Sequence, residues 1–304
     1  MLLKSPLLNS PSLKTTTTQK RVSNFRSERS SSKNLACKNN LKCDSGGQRH
    51  FVLIHGACHG AWCWYKVSPL LKSAGHNVSA LDMAASGVNP RKVEDLRSFS
   101  DYFEPLMEFM ANLSAEERVI LVGHSMGGIG ISMAMEKFTE KISAAVFAAA
   151  SMPGSDFPYQ TIAAKYAERS KSSKSKPMDT KLIFGNGPNN PPTAIVLGPN
   201  QMATNLYHFS PPQDLELATL LVRPFPVFSN EVAENEIVVT KERHGLVPRI
   251  FIICDEENDE EQRWMVLNNP PHELKIISGS DHMVMLSKPQ ELASYLLEIG
   301  QKYV

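Results

Sequence analysis

The chain has 304 residues, 42% hydrophobic and 21% charged, with a formal net charge of +1. That length holds one large α/β domain or two small ones. The near-neutral charge argues against a polyanionic partner, and no apolar run approaches the about twenty residues that cross a bilayer. Five cysteines (Cys37, Cys43, Cys58, Cys63, Cys254) are scattered without a C-x-x-C pair, and nine histidines without an H-E-x-x-H. Reduced thiols are expected, with neither a disulfide framework nor a metal site.

The charge is unevenly spread. Residues 1–43 carry nine Lys or Arg against one acid, Glu28, so the remainder is net acidic. This segment is rich in Ser and Thr and has no sustained apolar core. Arg-rich, Ser-rich and acid-poor is the composition of an organelle transit peptide. Residues 1–49 are therefore expected to be a disordered basic extension that directs the chain to a plastid, and residues 50–304 to be the folded domain. With few aromatics among its charges, the extension does not read as a nucleic-acid binder.

Order is expected from Phe51-Val52-Leu53-Ile54, a buried strand running into the glycine-bearing loop His55-Gly56-Ala57-Cys58-His59-Gly60. Apolar residues at helical spacing then predict a helix over Ala61–Lys72, and Asn77–Leu81 a second strand. Phe99–Leu113 reads as an amphipathic helix. Arg118–Val122 is a short β-branched run bounded by Gly123, hence a buried strand. Gly123-His124-Ser125-Met126-Gly127-Gly128 follows, then a helix over Ile129–Phe138. Strand, G-x-S-x-G and helix in that order form a nucleophile elbow, with Ser125 at the tip of a tight turn. Ile142–Phe147 is the next strand. Alternation breaks over 152–245, a proline-rich stretch too long to be a loop and read as a mainly helical cap. Arg249–Cys254 resumes the strands, followed by the acidic loop 255–261, a helix at Gln262–Leu267, a strand at Glu273–Ile277, the loop Ser278–His282 and a closing helix over Pro289–Tyr303. Strands alternating with helices imply a mostly parallel sheet covered by helices, with functional loops at the strand C-terminal ends.

Ser125, an acid after the Arg249–Cys254 strand, and His282 stand in the chain order of α/β-hydrolases. An oxyanion hole needs two N–H groups. Met126, directly after the nucleophile, supplies one, and the Gly56-Ala57 loop the other.

The motifs H-G-A-C-H-G-A-W (55–62), L-D-M-A-A-S-G (81–87), G-H-S-M-G-G (123–128), L-V-R-P (221–224), Q-R-W (262–264) and D-H-M (281–283) together resemble the plant methylesterase family, over about residues 50–304. That family includes methyl salicylate esterase, polyneuridine aldehyde esterase and the α/β-type hydroxynitrile lyases. The resemblance implies an α/β-hydrolase fold and a serine carboxylesterase for small methyl esters, often of hormones such as salicylate, jasmonate and indole-acetate. It implies Ser125 and His282 as catalytic pair, Ala57 and Met126 as oxyanion donors, and Gly56, Leu206, Tyr207 and Trp264 as substrate-binding residues. Met126, Leu206, Tyr207, Phe209 and Trp264 are expected to make the pocket apolar. The triad acid falls on Glu257, in a loop about three residues shorter than the family's, with Asp255 and Asp259 as alternatives. A hormone-binding protein with little turnover is the rival reading that this shortened loop raises. Hydroxynitrile lyases usually carry threonine where Gly56 stands and lysine where Met283 stands, so lyase chemistry is disfavoured. No cofactor is needed. The partners implied are a small ester, its free acid and, at most, a second copy of the chain, with neither nucleic acid nor membrane.

Overall fold

The computed structural model describes residues 47–171, 178–255 and 259–303. The extension expected over 1–49 lies outside these residues apart from 47–49. Strand β1 (His50–Ile54) leads through a 3-10 turn at Ala61–Trp64 to α1 (Val67–Ser73). Then come β2 (Asn77–Leu81), α2 (Phe99–Asn112), β3 (Val119–His124), α3 (Gly127–Lys137) and β4 (Ile142–Ala148). An inserted segment carries α4 (Tyr159–Lys171), β5 (Lys181–Ile183), β6 (Ala194–Val196), α5 (Pro199–Asn205), α6 (Pro212–Leu221), β7 (Phe225–Pro226) and α7 (Asn230–Glu236). The chain then closes through β8 (Arg249–Cys254), α8 (Asp259–Asn268), β9 (Glu273–Ile277), α9 (Val284–Ser287) and α10 (Pro289–Lys302).

Six strands form one sheet in the order β2-β1-β3-β4-β8-β9, and every neighbouring pair is parallel. The central strands β1, β3, β4 and β8 are buried almost throughout, while β2 and β9 at the edges are half-exposed. A parallel sheet has both faces covered, so its central strands need apolar residues at every position. Alternate residues point to opposite faces. Val52, Ile54, Leu121, Phe147, Phe251 and Ile253 join one core with α2 and α3. Phe51, Leu53, Ile120, Val122, Ile250 and Ile252 join the other with α1 and α10. The direction of strand addition reverses between β1 and β3, and in such sheets the crevice at that reversal is where ligands bind.

Proline shapes two helices, the first of them against expectation and the second where it was expected. The helix expected over Ala61–Lys72 is divided into the 3-10 turn and α1. Pro69 has no N–H, so a continuous helix would lose a bond in its interior. Restarting at Val67 puts Pro69 in a first turn, where no bond is lost. In α2, Pro105 does sit inside. The Asp101 carbonyl it leaves without an intrahelical donor accepts from Arg91 Nη1 at 3.4 Å.

The inserted segment is less purely helical than expected. Among its described residues, beside four helices, it holds a three-stranded sheet, β5-β6-β7, with both pairs antiparallel. Arg223 fastens this segment to the loop after β2 by donating to the main-chain oxygens of Gly87, Asn89 and Arg91. Buried Asp214 on α6 accepts from Tyr65 Oη at 2.6 Å and Lys66 Nζ at 2.5 Å. Cys58, Cys63 and Cys254 are buried free thiols. Burial pushes Cys58 up to about 11 and Cys254 up to about 12, so neither is a thiolate at neutral pH.

Candidate active site

Ser125 follows the last residue of β3 and has φ +53°, a left-handed conformation that its Cβ makes costly. The surroundings hold it there. Its carbonyl accepts from Gly128 N and Ser151 N, each at 3.1 Å, and its own N–H points to Ala148 O at 3.4 Å. The flanking glycines are sterically required. A Cβ on Gly123 would lie 2.8 Å from the Gly127 carbonyl, and one on Gly127 would lie 2.6 Å from Ile54 O. The turn can therefore nest α3 against β1 and β3 only without those side chains, and Met126 falls at the N-terminal end of α3.

His282 lies in the loop between β9 and α9, and three fastenings shape that loop. Asp255, at the end of β8, accepts from Ser278 Oγ at 2.7 Å and Gly279 N at 3.0 Å. Asp281, fully buried, accepts from Met283 N at 3.0 Å and also from the cap, from Phe209 N at 3.0 Å and Ser210 Oγ at 2.8 Å. His124 Nε2 lies 2.8 Å from the main-chain oxygen of His282, and the two rings sit 4.7 Å apart.

Ser125, Met126 and His282 line one cavity of about 280 Å³ with Gln201 and Leu206 of the cap and Gln262 of α8. Larger pockets, of about 630, 550 and 510 Å³, run beside Arg118 and Lys302, beside Asp101 and Glu236, and beside His50 and Glu117. None of these contains the strained serine or His282, so the smaller cavity is the candidate site. Its lining is more polar than expected, with Ser151, Gln201, Asn205 and Gln262 beside Met126 and Leu206. The Gln262 carboxamide is committed to Cys254, accepting from its N–H at 3.1 Å and donating to its carbonyl at 3.0 Å.

The loop after β1 passes directly beside Ser125, although Gly56 and Ala57 are not among the residues lining the cavity. A Cβ on Gly56 would lie 2.8 Å from Ser125 Cβ and 3.1 Å from His124 Nδ1, so only glycine passes this close to Ser125. Two buried histidines clasp the loop. His55 Nε2 accepts from Met83 N at 3.1 Å, which leaves the proton on Nδ1 to donate to Gly56 O at 2.8 Å. His59 donates from its main-chain N–H to Gly56 O at 3.3 Å and from Nδ1 to Ala57 O at 2.8 Å. Its Nε2 accepts from Tyr207 Oη at 2.6 Å. Burial lowers the pKa of His55 and takes that of His59 down to about 4, so both rings are neutral at physiological pH.

The remaining expected site residues separate. Leu206 lines the cavity. Tyr207 is buried, turned to His59 and stacked on it at 5.9 Å between centroids; it does not line the cavity. Trp264 packs against Phe157 at 5.2 Å and is likewise absent from the lining, while Phe209 is half-exposed. Glu257 lies outside the described residues. The acidic loop is shorter than expected because α8 begins at Asp259, placing that alternative in a helical first turn. The third candidate, Asp255, has both oxygens engaged by the loop that precedes His282.

The alpha/beta hydrolase family model matches residues 51–295. Methyl jasmonate esterase 1 of Vitis vinifera is 52% identical over 259 residues, covering 84% of this chain and 98% of that protein. Salicylic acid-binding protein 2 of Nicotiana tabacum is 47% identical, with the same coverage of both chains. Among solved structures, tomato methylketone synthase I complexed with 2-tridecanone superposes with a TM-score of 0.81 at 48% identity, over 85% of this chain and all of that one. The chain belongs to the plant methylesterase family of α/β-hydrolases.

A plant methylesterase is a carboxylic ester hydrolase, and the parallel sheet with its elbow at the strand reversal is the α/β-hydrolase fold. Sequence reasoning overlooked the residues that shape the methylesterase site without entering it: His55, His59, His124 and Asp281. A usable signal was present. Each neighbours a residue already singled out, and His55 and His59 bracket the Gly56-Ala57 turn, where an imidazole reaches a nearby carbonyl.

Proposed function

We propose that this methylesterase cleaves methyl esters of small hormone-like plant acids, such as methyl salicylate, methyl jasmonate and methyl indole-acetate. One observation carries the reading: Ser125, held in a left-handed turn, and His282 line the same cavity. Its volume suits an acyl group of one or two rings, and its polar lining favours an acid bearing a hydroxyl, keto or N–H group. Methyl jasmonate and salicylic acid in the names of two relatives point to the same class.

In this mechanism Ser125 Oγ attacks the ester carbonyl while His282 takes its proton. The Ala57 and Met126 N–H groups receive the oxyanion. The imidazolium of His282 then protonates the departing methoxide to methanol, and water, deprotonated by His282, cleaves the acyl-enzyme as that proton returns to Ser125 Oγ. Glu257 orients the His282 imidazole and stabilises the imidazolium, an assignment supported by the engagement of both Asp255 oxygens elsewhere. Gly56 and Leu206 bound the acyl group; Tyr207 and Trp264 serve it from outside the cavity. A panel of methyl esters, assayed for released acid, tests the reading. Ser125→Ala should abolish release while leaving the thermal transition in place, and turnover by that variant would sink it.

We further propose that residues 1–49 direct the chain to a plastid. Their basic, Ser- and Thr-rich composition supports this, as does their lying ahead of the family match at residue 51. Residues 1–50 fused to a fluorescent reporter should label plastids, and a diffuse cytosolic signal would defeat the proposal.

A further inference from the structure

The oxyanion donor from the β1 loop is the N–H of Ala57, and its direction depends on two peptide planes. One contains Gly56 C=O with the Ala57 N–H itself. The other contains Ala57 C=O. A trans peptide points its C=O and N–H in opposite directions, so whatever grips Gly56 O aims the Ala57 N–H. Fixing Ala57 O as well fixes both backbone torsions of Ala57.

His59 grips both. Its main-chain N–H reaches Gly56 O at 3.3 Å and its Nδ1–H reaches Ala57 O at 2.8 Å. The ring can donate from Nδ1 only while its proton stays there, and the tautomer is set by what the other nitrogen does. Here Nε2 accepts from Tyr207 Oη at 2.6 Å, on the cap segment that begins where α5 ends. Burial keeps the Tyr207 hydroxyl protonated and therefore a donor. The His59 ring is further held between Trp62 and Tyr207, at 5.3 and 5.9 Å between centroids. The same cap segment reaches the base: Leu206 O accepts from Met283 N at 3.3 Å, and Phe209 and Ser210 donate to Asp281.

We propose that His59 and Tyr207 are positioning residues for the oxyanion hole, through which the docked cap aims the Ala57 N–H at the reacting carbonyl. Tyr207 thus acts on the reaction through His59 rather than by touching substrate. The inference rests on the esterase reading and on Ala57 as an oxyanion donor. With the cap tyrosine absent, His59 Nε2 is a buried acceptor without a donor, the ring is free to exchange tautomers, and the loop loses its fixed direction.

The test uses full-length protein and three variants: Tyr207→Phe, His59→Leu and His59→Asn. Asparagine places an N–H where His59 Nδ1 lies, so it keeps the donation to Ala57 O. Three quantities are read: kcat and KM for an aryl ester, the affinity of an aryl trifluoromethyl ketone whose adduct with Ser125 carries an oxyanion, and the ¹⁵N shifts of the His59 ring. The wild-type ring should show the neutral Nδ1–H form at pH 6. Tyr207→Phe and His59→Leu should lower kcat about tenfold to a hundredfold, less than or comparable to loss of an oxyanion donor, with KM within about twofold. Ketone affinity should fall by the same factor, and His59→Asn should recover most of both losses. Wild-type kcat and ketone affinity in Tyr207→Phe and His59→Leu would overturn the inference, as would an Nε2–H ring at His59 or a His59→Asn variant no better than His59→Leu. A wild-type protein that neither hydrolyses the ester nor binds the ketone would instead overturn the esterase reading itself, and this inference with it.

Discussion

His124 Nε2 stands 2.8 Å from the main-chain oxygen of His282. The residue before Ser125 thus holds the loop that carries His282. The contact requires the His124 proton on Nε2, and burial together with the nearby His282 drives the His124 pKa well down, so the ring stays neutral. A neutral neighbour matters here. A second cation 4.7 Å away would oppose the imidazolium that the proposed mechanism forms at His282. His124→Leu should therefore lower kcat about tenfold or more with KM little changed, since the ring lies outside the cavity lining. His124→Gln, which can still donate to the His282 oxygen, should retain most activity. Steady-state kinetics of the pair checks this, and equal activity in both variants would remove the positioning role.

The acid is separable by charge-neutral substitutions. Glu257→Gln should lower kcat by roughly 10³- to 10⁴-fold, the scale seen when the orienting acid of a triad is removed, without a shift in melting temperature. Asp255→Asn should do the reverse, loosening Ser278 and Gly279 and lowering stability by about 1–3 kcal/mol while keeping the larger part of kcat. Assays of both variants beside urea melts decide the matter. Loss of activity confined to Asp255→Asn would transfer the role to Asp255.

Asp281 joins three donors from two parts of the chain while fully buried. Removing the carboxylate leaves Phe209 N, Ser210 Oγ and Met283 N without it in a place water does not reach. Asp281→Ala should cost more than about 2 kcal/mol, measured as a fall in the urea midpoint. It should also lower activity, because the same carboxylate registers the cap against the His282 loop. Asp281→Asn, retaining one acceptor oxygen, should fall between the two.

Much of this was legible in the sequence for a simple physical reason. A strand buried on both faces must be apolar throughout, and an elbow between such a strand and a helix must have glycines where backbones meet. Those constraints are local, so β1, β3, β4, β8 and Ser125 could be read directly. The missing features depend on contacts between distant residues. Strands β5, β6 and β7 span two or three residues each and exist because they pair with one another, which no periodicity reports. The division of the first helix was readable, since Pro69 forbids the continuous version, but the apolar spacing of Trp62, Tyr65 and Leu70 masked it. Tyr207 sits in a recognisable cap segment, yet its hydroxyl meets a histidine far earlier in the chain, a partner that nothing local in the sequence reports. The polar cavity escaped notice because Gln201 and Asn205 become neighbours of Ser125 only once the cap is docked.

The buried histidines also set an acid limit to stability. His59 and His244 have pKa values of about 4, lowered chiefly by burial, with nearby His55 and His282 adding to the effect at His59 and Arg249 at His244. His55 and His124 are shifted in the same direction. In the unfolded chain each returns to about 6.5. Between about pH 6.5 and 4 the unfolded state therefore binds more protons than the native state, and stability rises with pH across that window. Above 6.5 these groups are neutral in both states and contribute no slope. Below about 4, His59 and His244 have each cost on the order of 3 kcal/mol. Urea midpoints measured from pH 8 to pH 4.5 should be flat with respect to these groups above pH 7 and fall steadily below 6.5. His244→Gln, remote from the cavity, should reduce the slope by about one proton without changing kcat at pH 7.5. A slope identical to that of the unsubstituted protein would mean that His244 titrates normally in the native state.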